Sequence, residues 1–312
     1  MPRKMRVARA EEFWVEALVA DSQRVKARVR AVEKLGGQVV IGLDVKDWVG
    51  ARSGQFAMLQ PVRSRCFLPR AFSVFTGARG GATGIVNFLI APVGRGTEEL
   101  AAMREGEEVW VLGPLGRHFP EPPDGRLVVV GGGTGVAPFG LLLESLAGQK
   151  GGGAVPGNGA GPNEILLLLG FAGEEQARSV KWIEPLTDAV RSSGVGVETV
   201  VMTEKGERGS QGLVTDALAE RLESGDSVFA CGPIAMCETT WTLAQNVSGV
   251  STWFSLEASM ACGTGSCQGC VLPSAKGTLL KVCRDGPVFQ GERVFGGSSE
   301  STGKAASERG ST

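Results

Sequence analysis

The chain has 312 residues, with 32 lysines and arginines against 33 aspartates and glutamates, a formal net charge of −1. That balance excludes a general binder of nucleic acid or other polyanions, and the length predicts two or three domains of about 100–200 residues each. With 42 % hydrophobic and 21 % charged residues the composition is ordinary for a globular protein; its departures are 47 glycines, a single histidine (His118) and no tyrosine.

Residues 1–23 are charged and weakly patterned and are expected to form an N-terminal extension. No apolar run follows their basic residues, so no signal peptide is expected. From Arg24 the pattern becomes strand-like. Val25, Ala27, Val29 and Ala31 alternate with Lys26, Arg28 and Arg30, the period of a half-buried strand. Further strands are predicted over 38–43, 54–61, 71–76, 84–90 and 108–112, separated by glycine, proline or charge. Short strands at this spacing predict an antiparallel barrel over 24–120.

After the turn cluster PEPPDG at 120–125 the texture changes. Apolar runs at 127–130, 165–169, 195–202 and 227–230 alternate with helical patterns at 137–146, 180–190 and 213–222. This predicts a four-stranded parallel sheet covered on both faces, over 121–249. Residues 127–143 are uncharged, but GGGTG interrupts them and they fall short of about twenty apolar residues, so no membrane span is expected. A cytoplasmic setting is the default. The glycine-rich stretch 148–162 is expected to be a flexible insertion, and the tail 296–312 to be disordered. The remaining segment, 250–295, holds four of the seven cysteines.

Those four are Cys262, Cys267, Cys270 and Cys283, spaced C-x4-C-x2-C-x12-C. The first two gaps match the plant-type 2Fe-2S pattern. A cluster needs four thiolates converging on one small volume, and Gly263, Gly265 and Gly269 are expected to supply the φ > 0 positions for so tight a wrap. A four-cysteine structural zinc site in a non-catalytic interaction module is the alternative, although structural zinc usually shows paired knuckles. Two disulfides fit less well, because nothing in the sequence looks secreted.

Two further stretches suggest nucleotide chemistry. In LPRAFSVF at 68–75, Arg70 can clamp a diphosphate, Phe72 can lie against an isoalloxazine ring and Ser73 can bond a flavin edge atom; an ordinary strand reads the same way. Alternation puts Arg70 and Phe72 on one face and Ser73 on the other. In GRGTEEL at 94–100, Gly96 and Thr97 precede a helical run, where free backbone N–H groups meet phosphate, or where Thr97 simply caps the helix. In VVVGGGTGVAP at 128–138, Gly131, Gly132, Gly133, Thr134 and Gly135 end a strand and Pro138 opens a helix, so the backbone can approach a pyrophosphate; a tight turn without a ligand is the alternative. Cys231, Gly232 and Pro233 follow the last strand at the carboxyl edge, where open α/β sheets bind ligands. Cys66, Cys231 and Cys237 otherwise read as inert thiols.

LPRAFS, GRGT, GPLG, GGGTGVAP and CGP, in that order, resemble the ferredoxin–NADP reductase superfamily. Adding SLEASMACGTGSCQGC and KVCRDGPVF, the chain resembles, over about 24–295, the electron-transfer subunits of NAD-dependent B-type dihydroorotate dehydrogenases. One departure is Ala71, where the family usually has proline. The resemblance implies a flavin-binding antiparallel β-barrel, a parallel-sheet nucleotide-binding domain and a small C-terminal 2Fe-2S domain. It implies FAD on Arg70, Phe72, Ser73, Gly96 and Thr97, and NAD as co-substrate at Gly131–Gly135, Pro138, Cys231, Gly232 and Pro233. The cluster would sit on Cys262, Cys267, Cys270 and Cys283. It also implies a partner: an FMN-containing catalytic subunit that oxidises dihydroorotate to orotate in pyrimidine biosynthesis, two of each forming a heterotetramer. No catalytic residue is expected on this chain beyond the cofactors. A flavin/iron–sulfur subunit of a ferredoxin-linked NAD(P) oxidoreductase or hydrogenase shares almost every motif. Glu204 could favour NAD by bonding ribose hydroxyls, while Lys205 and Arg208 could meet a 2′-phosphate.

Overall fold

A computed structural model describes residues 23–77, 84–148 and 161–296. The N-terminal extension, most of the glycine-rich insertion and nearly all of the C-terminal tail lie outside the described residues.

The alternation in the first hundred residues closes a barrel. Its strands are β1 (Gln23–Leu35), β2 (Gln38–Val45), β3 (Phe56–Pro61), β4 (Arg70–Thr76), β5 (Gly84–Ile90) and β6 (Glu108–Leu115), in the order β1-β2-β5-β4-β3-β6. Neighbours are antiparallel throughout. Ala27, Val29, Ile41, Leu43, Val86, Phe88, Val109 and Val111 fill the interior, while Lys26, Arg28 and Arg30 stay outside. Between β5 and β6 lies helix α1 (Arg95–Ala101).

The closure has one open seam. β4 and β5 pair only through Val74 with Phe88 and Thr76 with Asn87, with an irregularity between them. Toward Arg70 the two strands part, leaving that edge of β4 without a β5 partner.

The second unit is a seven-stranded sheet in the order β10-β9-β8-β7-β11-β12-β15. Its strands β7 (Gly125–Gly132), β8 (Pro162–Phe171), β9 (Gly196–Thr203) and β11 (Ser227–Cys231) are the four predicted ones. The sheet extends beyond them with β10 (Ser210–Gln211), the parallel strand β12 (Ser251–Ser255) and the antiparallel strand β15 (Val288–Gln290). Thus the segment expected to form the cluster domain, 250–295, contributes one strand from its start and one from its end to the nucleotide sheet. Continuous apolar runs are required because both faces are covered. Leu127, Val129, Ile165, Leu167 and Leu169 face helices α2 (Ala137–Gly148) and α3 (Glu184–Ser192). Val128, Val130, Leu166 and Leu168 face α4 (Val214–Arg221) and α5 (Ile234–Gln245).

The cysteine segment is small: a hairpin of β13 (Val271–Pro273) and β14 (Leu279–Lys281), then a helical turn over Val282–Asp285. It does not build a core of its own. Cys270, Leu280, Val282 and Cys283 join the cluster of buried side chains that also holds Phe56 and Met58 of the barrel and Val128 and Phe254 of the sheet. Barrel, sheet and hairpin therefore share apolar packing, which fixes their mutual positions.

Polar contacts complete the joints. Ser53 Oγ donates to the carbonyl of Pro138 (2.8 Å), and Gly77 N–H donates to Glu144 Oε2 (2.9 Å). Gly140 lets α2 lie on β4, since a Cβ there would meet the Phe75 ring at 2.5 Å and collide with the Phe75 carbonyl. Arg117 N–H donates to the Gly286 carbonyl (2.6 Å) and Leu256 N–H to that of Pro287 (2.9 Å), tying the cysteine segment to barrel and sheet.

Candidate functional site

The open seam of the barrel is where the motifs meet. A pocket of about 250 Å³ is lined by Phe72 and Ser73 of β4, Thr97 of α1, Thr134 of the glycine loop, and Glu257 and Met260 from the segment leading to Cys262. Strand alternation put Phe72 and Ser73 on opposite faces, yet both line the pocket. The reason is the parting of β4 from β5: the cavity reaches round the unpaired edge of β4 and meets both sides of the strand.

Arg70 stands at the entrance of this seam. Its Nη1 donates to the carbonyls of Leu68 (2.8 Å) and Pro69 (3.2 Å), and the guanidinium lies over Gly96, where a Cβ would come within 2.8 Å of Cζ. A side chain at this position would push the guanidinium aside. Thr97 is placed differently from the prediction. It is the third residue of α1, not a residue before it, and Gly94 is the N-cap. The Thr97 hydroxyl accepts from Val93 N–H (2.9 Å) and Gly94 N–H (3.0 Å) and donates to the Gly94 carbonyl (2.8 Å). Its role is to hold the turn, leaving the first-turn N–H groups as the available donors. Ala71 pairs opposite Met58 and lines the pocket.

The second half of the site is built where β7 and β11 end side by side. Gly131 pairs with Cys231 across the two strands. Gly131 and Gly132 complete β7, and Gly133, with φ +57°, opens a short 3-10 turn over Gly133–Val136. Gly135 packs against Cys231 and Gly232 so closely that a Cβ would lie 2.7 Å from Gly232 Cα and collide with the Cys231 carbonyl. Gly132 would meet Pro233 Cδ at 2.8 Å and Met236 Sδ at 2.7 Å. The two glycine motifs, about a hundred residues apart in sequence, form one continuous backbone surface. Pro138 lies in the first turn of α2 and turns its carbonyl to Ser53. Burial pushes the Cys231 thiol well above its ordinary value, and pushes Cys237 up to about 12. Both are protonated thiols at neutral pH, with no metal chemistry of their own.

Glu257 is the site residue that sequence reasoning missed. It follows β12 and lines the pocket beside Ser255 and Leu256. Burial raises its carboxyl above the ordinary value. The signal is a lone acid after STWFS, a run too short and too polar to be read as a strand of the sheet. By contrast, His118 lies outside the pocket. Its Nδ1 bonds the Phe119 carbonyl (2.6 Å) and its Nε2 accepts from Arg52 Nη1 (2.7 Å), while Arg52 also pairs with Glu121. Burial, opposed by the Phe119 bond and assisted by Arg52, lowers its pKa. Of the residues weighed for cofactor choice, Arg208 is turned toward Glu184 at 3.8 Å, and Glu204 and Lys205 follow β9 away from the pocket.

The four cysteines fall into two pairs. Cys270 and Cys283 have Sγ atoms 3.1 Å apart, and Cys283 N–H points to Cys270 Sγ at 3.4 Å. Cys262 Sγ receives the N–H groups of Thr264 and Cys267, each at 3.4 Å. Partial burial works to raise the Cys262 thiol, but those backbone donors, Cys267 first, outweigh it and bring it down to about 6. Burial and the neighbouring Cys270 push Cys283 up to about 12. Among the described residues no three histidine, cysteine or acidic side chains converge on one point suited to a single ion. Two pairs fit a two-iron cluster, one pair to each iron, better than one tetrahedral zinc.

Gly263 and Gly265 take φ +75° and +85°, as the tight wrap requires, but Gly269 does not. The third left-handed position is Gln268, at φ +56°. Gly269 instead faces open space near Cys267, whose Sγ would lie 3.6 Å from an added Cβ.

Two family models match the chain. The iron–sulfur cluster binding domain of dihydroorotate dehydrogenase B matches residues 257–295, and an oxidoreductase NAD-binding domain matches 129–241. The electron transfer subunit of dihydroorotate dehydrogenase B (NAD(+)) from Caldanaerobacter subterraneus subsp. tengcongensis is 33% identical over 277 residues, 87% of this chain and 98% of that protein. The subunit of the same name from Listeria welshimeri is 34% identical over 248 residues, 77% of this chain and 86% of the relative. Among solved structures, an NADH-dependent reduced ferredoxin-NADP oxidoreductase superposes with a TM-score of 0.68 at 26% identity, covering 86% of this chain and 89% of that one. A ferredoxin NADP+ reductase from Neisseria gonorrhoeae shares the fold, with a TM-score of 0.55 at 14% identity over 75% of this chain and 99% of that one.

Proposed function

This chain belongs to the electron transfer subunits of dihydroorotate dehydrogenase B (NAD(+)), and on that premise we propose how its own residues divide the work. The protein is an oxidoreductase subunit that uses FAD and a 2Fe-2S cluster to carry electrons to NAD+. Its partner is the catalytic subunit that the name of its relatives implies.

The observation that carries the residue assignment is the pocket in the barrel seam, where residues of the flavin, nucleotide and cysteine motifs line one cavity. Arg70, over Gly96, meets the diphosphate of FAD, with the N–H groups of Gly96 and Thr97 as further donors. Phe72 and Ser73 face the isoalloxazine in the seam. Gly131, Gly132, Gly133, Thr134 and Gly135, with Cys231, Gly232, Pro233 and the start of α2 at Pro138, form the surface for the pyrophosphate and nicotinamide of NAD. Cys262, Cys267, Cys270 and Cys283 would hold the 2Fe-2S cluster, two thiolates for each iron. When bound, the flavin joins the two-electron chemistry of nicotinamide to the one-electron chemistry of iron and sulfur. The chain's task is to hold the groups close together, exclude water from the seam and present the cysteine loop outward.

Cys267 is exposed and Cys262 half-exposed, so the outer edge of the cluster loop faces the catalytic subunit. We assign to that subunit the FMN and the dihydroorotate site, and to the assembly two copies of each chain. In the reconstituted complex, Cys270→Ser should abolish dihydroorotate-dependent NAD+ reduction while leaving NADH-dependent reduction of an artificial dye. Retained coupling in that variant, or oxidation of dihydroorotate by this chain alone, would overturn the assignment.

A further inference from the structure

A second cleft of the described barrel lies apart from the flavin seam. It lies at the other end of α1, has a volume of about 560 Å³, and is walled by the loop after β3 and the turn before β6. Pro61, Val62 and Met103 give it an apolar side. Three arginines surround it: Arg28 from the outer face of β1, and Arg63 and Arg65 from the loop.

The loop that carries two of them is held rigid. Ser64 N–H donates to the Pro61 carbonyl (3.0 Å), and Cys66 N–H to Ser64 Oγ (3.0 Å). The Ser64 hydroxyl donates to Glu99 Oε2 (2.5 Å), and Arg65 N–H to Glu99 Oε1 (3.2 Å). Gln60 Nε2 closes the far side on the carbonyls of Cys66 and Phe67. Arg63 and Arg65 therefore flank a serine whose position is fixed from below.

The acids that line the cleft are occupied elsewhere. Glu99 is engaged by Ser64 and the Arg65 backbone, and the Ser64 bond, acting against burial, holds its carboxyl below the ordinary value. Glu107 Oε2 accepts from Arg104 N–H (2.7 Å), and Glu108 pairs with Lys26 at 3.5 Å. Arg65 acts on Glu99 only at longer range, and among the described residues none of the three guanidiniums has an ion pair within 4.0 Å.

We propose that this cleft is a binding site for an organic phosphate of nucleoside-diphosphate size, its phosphates held by Arg28, Arg63 and Arg65 and its apolar part laid on Val62 and Met103. Guanidiniums suit phosphate oxygens because their planar donors bond two at once, and the volume is that of a small-molecule site. The loop runs directly into Leu68 and Pro69, whose carbonyls hold Arg70, yet the cleft shares no lining residue with the flavin seam.

Uridine 5′-diphosphate is the probe, because it lacks the adenine that FAD and NAD sites would accept. Titrated calorimetrically into FAD-loaded protein saturated with NAD+, it should bind saturably, more weakly as salt rises. Arg63→Gln/Arg65→Gln should weaken binding about tenfold or more with flavin content unchanged, and Arg28→Gln should weaken it separately. No saturable binding to the wild-type protein overturns the proposal, as does equal binding by the double variant. Loss of FAD from that variant would assign the arginines to the flavin site. Loss of the catalytic subunit on co-purification, with no phosphate binding, would assign them to a protein interface. Either result also overturns the proposal.

Discussion

Met58 of β3 and Gly263 of the cysteine loop touch so closely that the glycine has no room for a side chain. A Cβ on Gly263 would lie 2.6 Å from Met58 Cγ and 2.9 Å from Sδ. Met58 pairs with Ala71 on the neighbouring strand β4, and Ala71 lines the flavin seam. One residue of the barrel thus separates the loop beside Cys262 from the pocket wall.

Gly263→Ala should fail twice, because its φ of +75° is strained for any side chain and because Met58 is in the way. The backbone part alone costs about 1–2 kcal/mol. The variant should purify with less iron per chain and a lower Tm. Met58 is itself buried, so the comparison is a double-mutant cycle: Gly263→Ala should lower Tm less in a Met58→Ala background than in wild type, and an equal drop in both would show that Met58 is not in the way.

Gly135→Ala should act on the nucleotide half alone. Its Cβ would meet backbone, not a flexible side-chain end, so the 3-10 turn must move away from Cys231 and Gly232. The KM for NADH should rise roughly tenfold, about 1.4 kcal/mol, while the FAD content stays at one per chain. An unchanged KM would separate Gly135 from NAD binding.

Glu257 makes stability depend on pH. Burial raises its carboxyl above the ordinary 4.5, so the folded protein holds a proton that the unfolded chain releases as pH rises past that value. Stability is therefore lost between about 4.5 and the raised folded value, and the loss persists above it. Glu257→Gln has no such loss. Its Tm relative to wild type should climb as pH rises from 4.5 and then level off; a constant difference across that range would place the carboxyl in water.

His118 has the opposite window. Its folded pKa lies below the ordinary 6.5, burial being the main cause. As pH falls below 6.5 the unfolded chain takes up a proton that the folded protein resists, and stability declines toward the folded pKa. His118→Gln should lower Tm at pH 7.5 by losing the Arg52 and Phe119 contacts, and the deficit should shrink as pH approaches 5.5. A deficit that widens on acidification would mean that the ring is charged in the folded protein.

Much of this molecule was legible before its structure was known, for reasons that differ by element. Strand β1 could be read because it has one wet face, with Ala27 and Val29 going inward between arginines, and the other barrel strands because glycine, proline or charge bounds each short run. The runs of β7 and β8 announced a sheet covered on both sides. Strand β12 was not read: five residues, STWFS, are too few to show a period, and their partners are set by the whole sheet. Glu257 was lost with it. The seam that admits Phe72 and Ser73 to one pocket was equally out of reach, because it depends on where β5 stops pairing. The cysteine spacing pointed to iron and sulfur, but the choice of Gln268 over Gly269 for the third left-handed position belongs to local geometry.

The pairing of the cysteines gives the loop an inside and an outside. Cys270 and Cys283 are embedded in the packing shared by barrel, sheet and hairpin, whereas Cys267 is exposed and Cys262 half-exposed. The outer thiols are the ones solvent reaches, and Cys262, brought down to about 6 despite its partial burial, is available as a thiolate at neutral pH. Damage follows the same direction. An oxidant or chelator reaches Cys267 before it reaches the buried pair, so a cluster lost from this protein leaves half of its ligands still sheltered for repair.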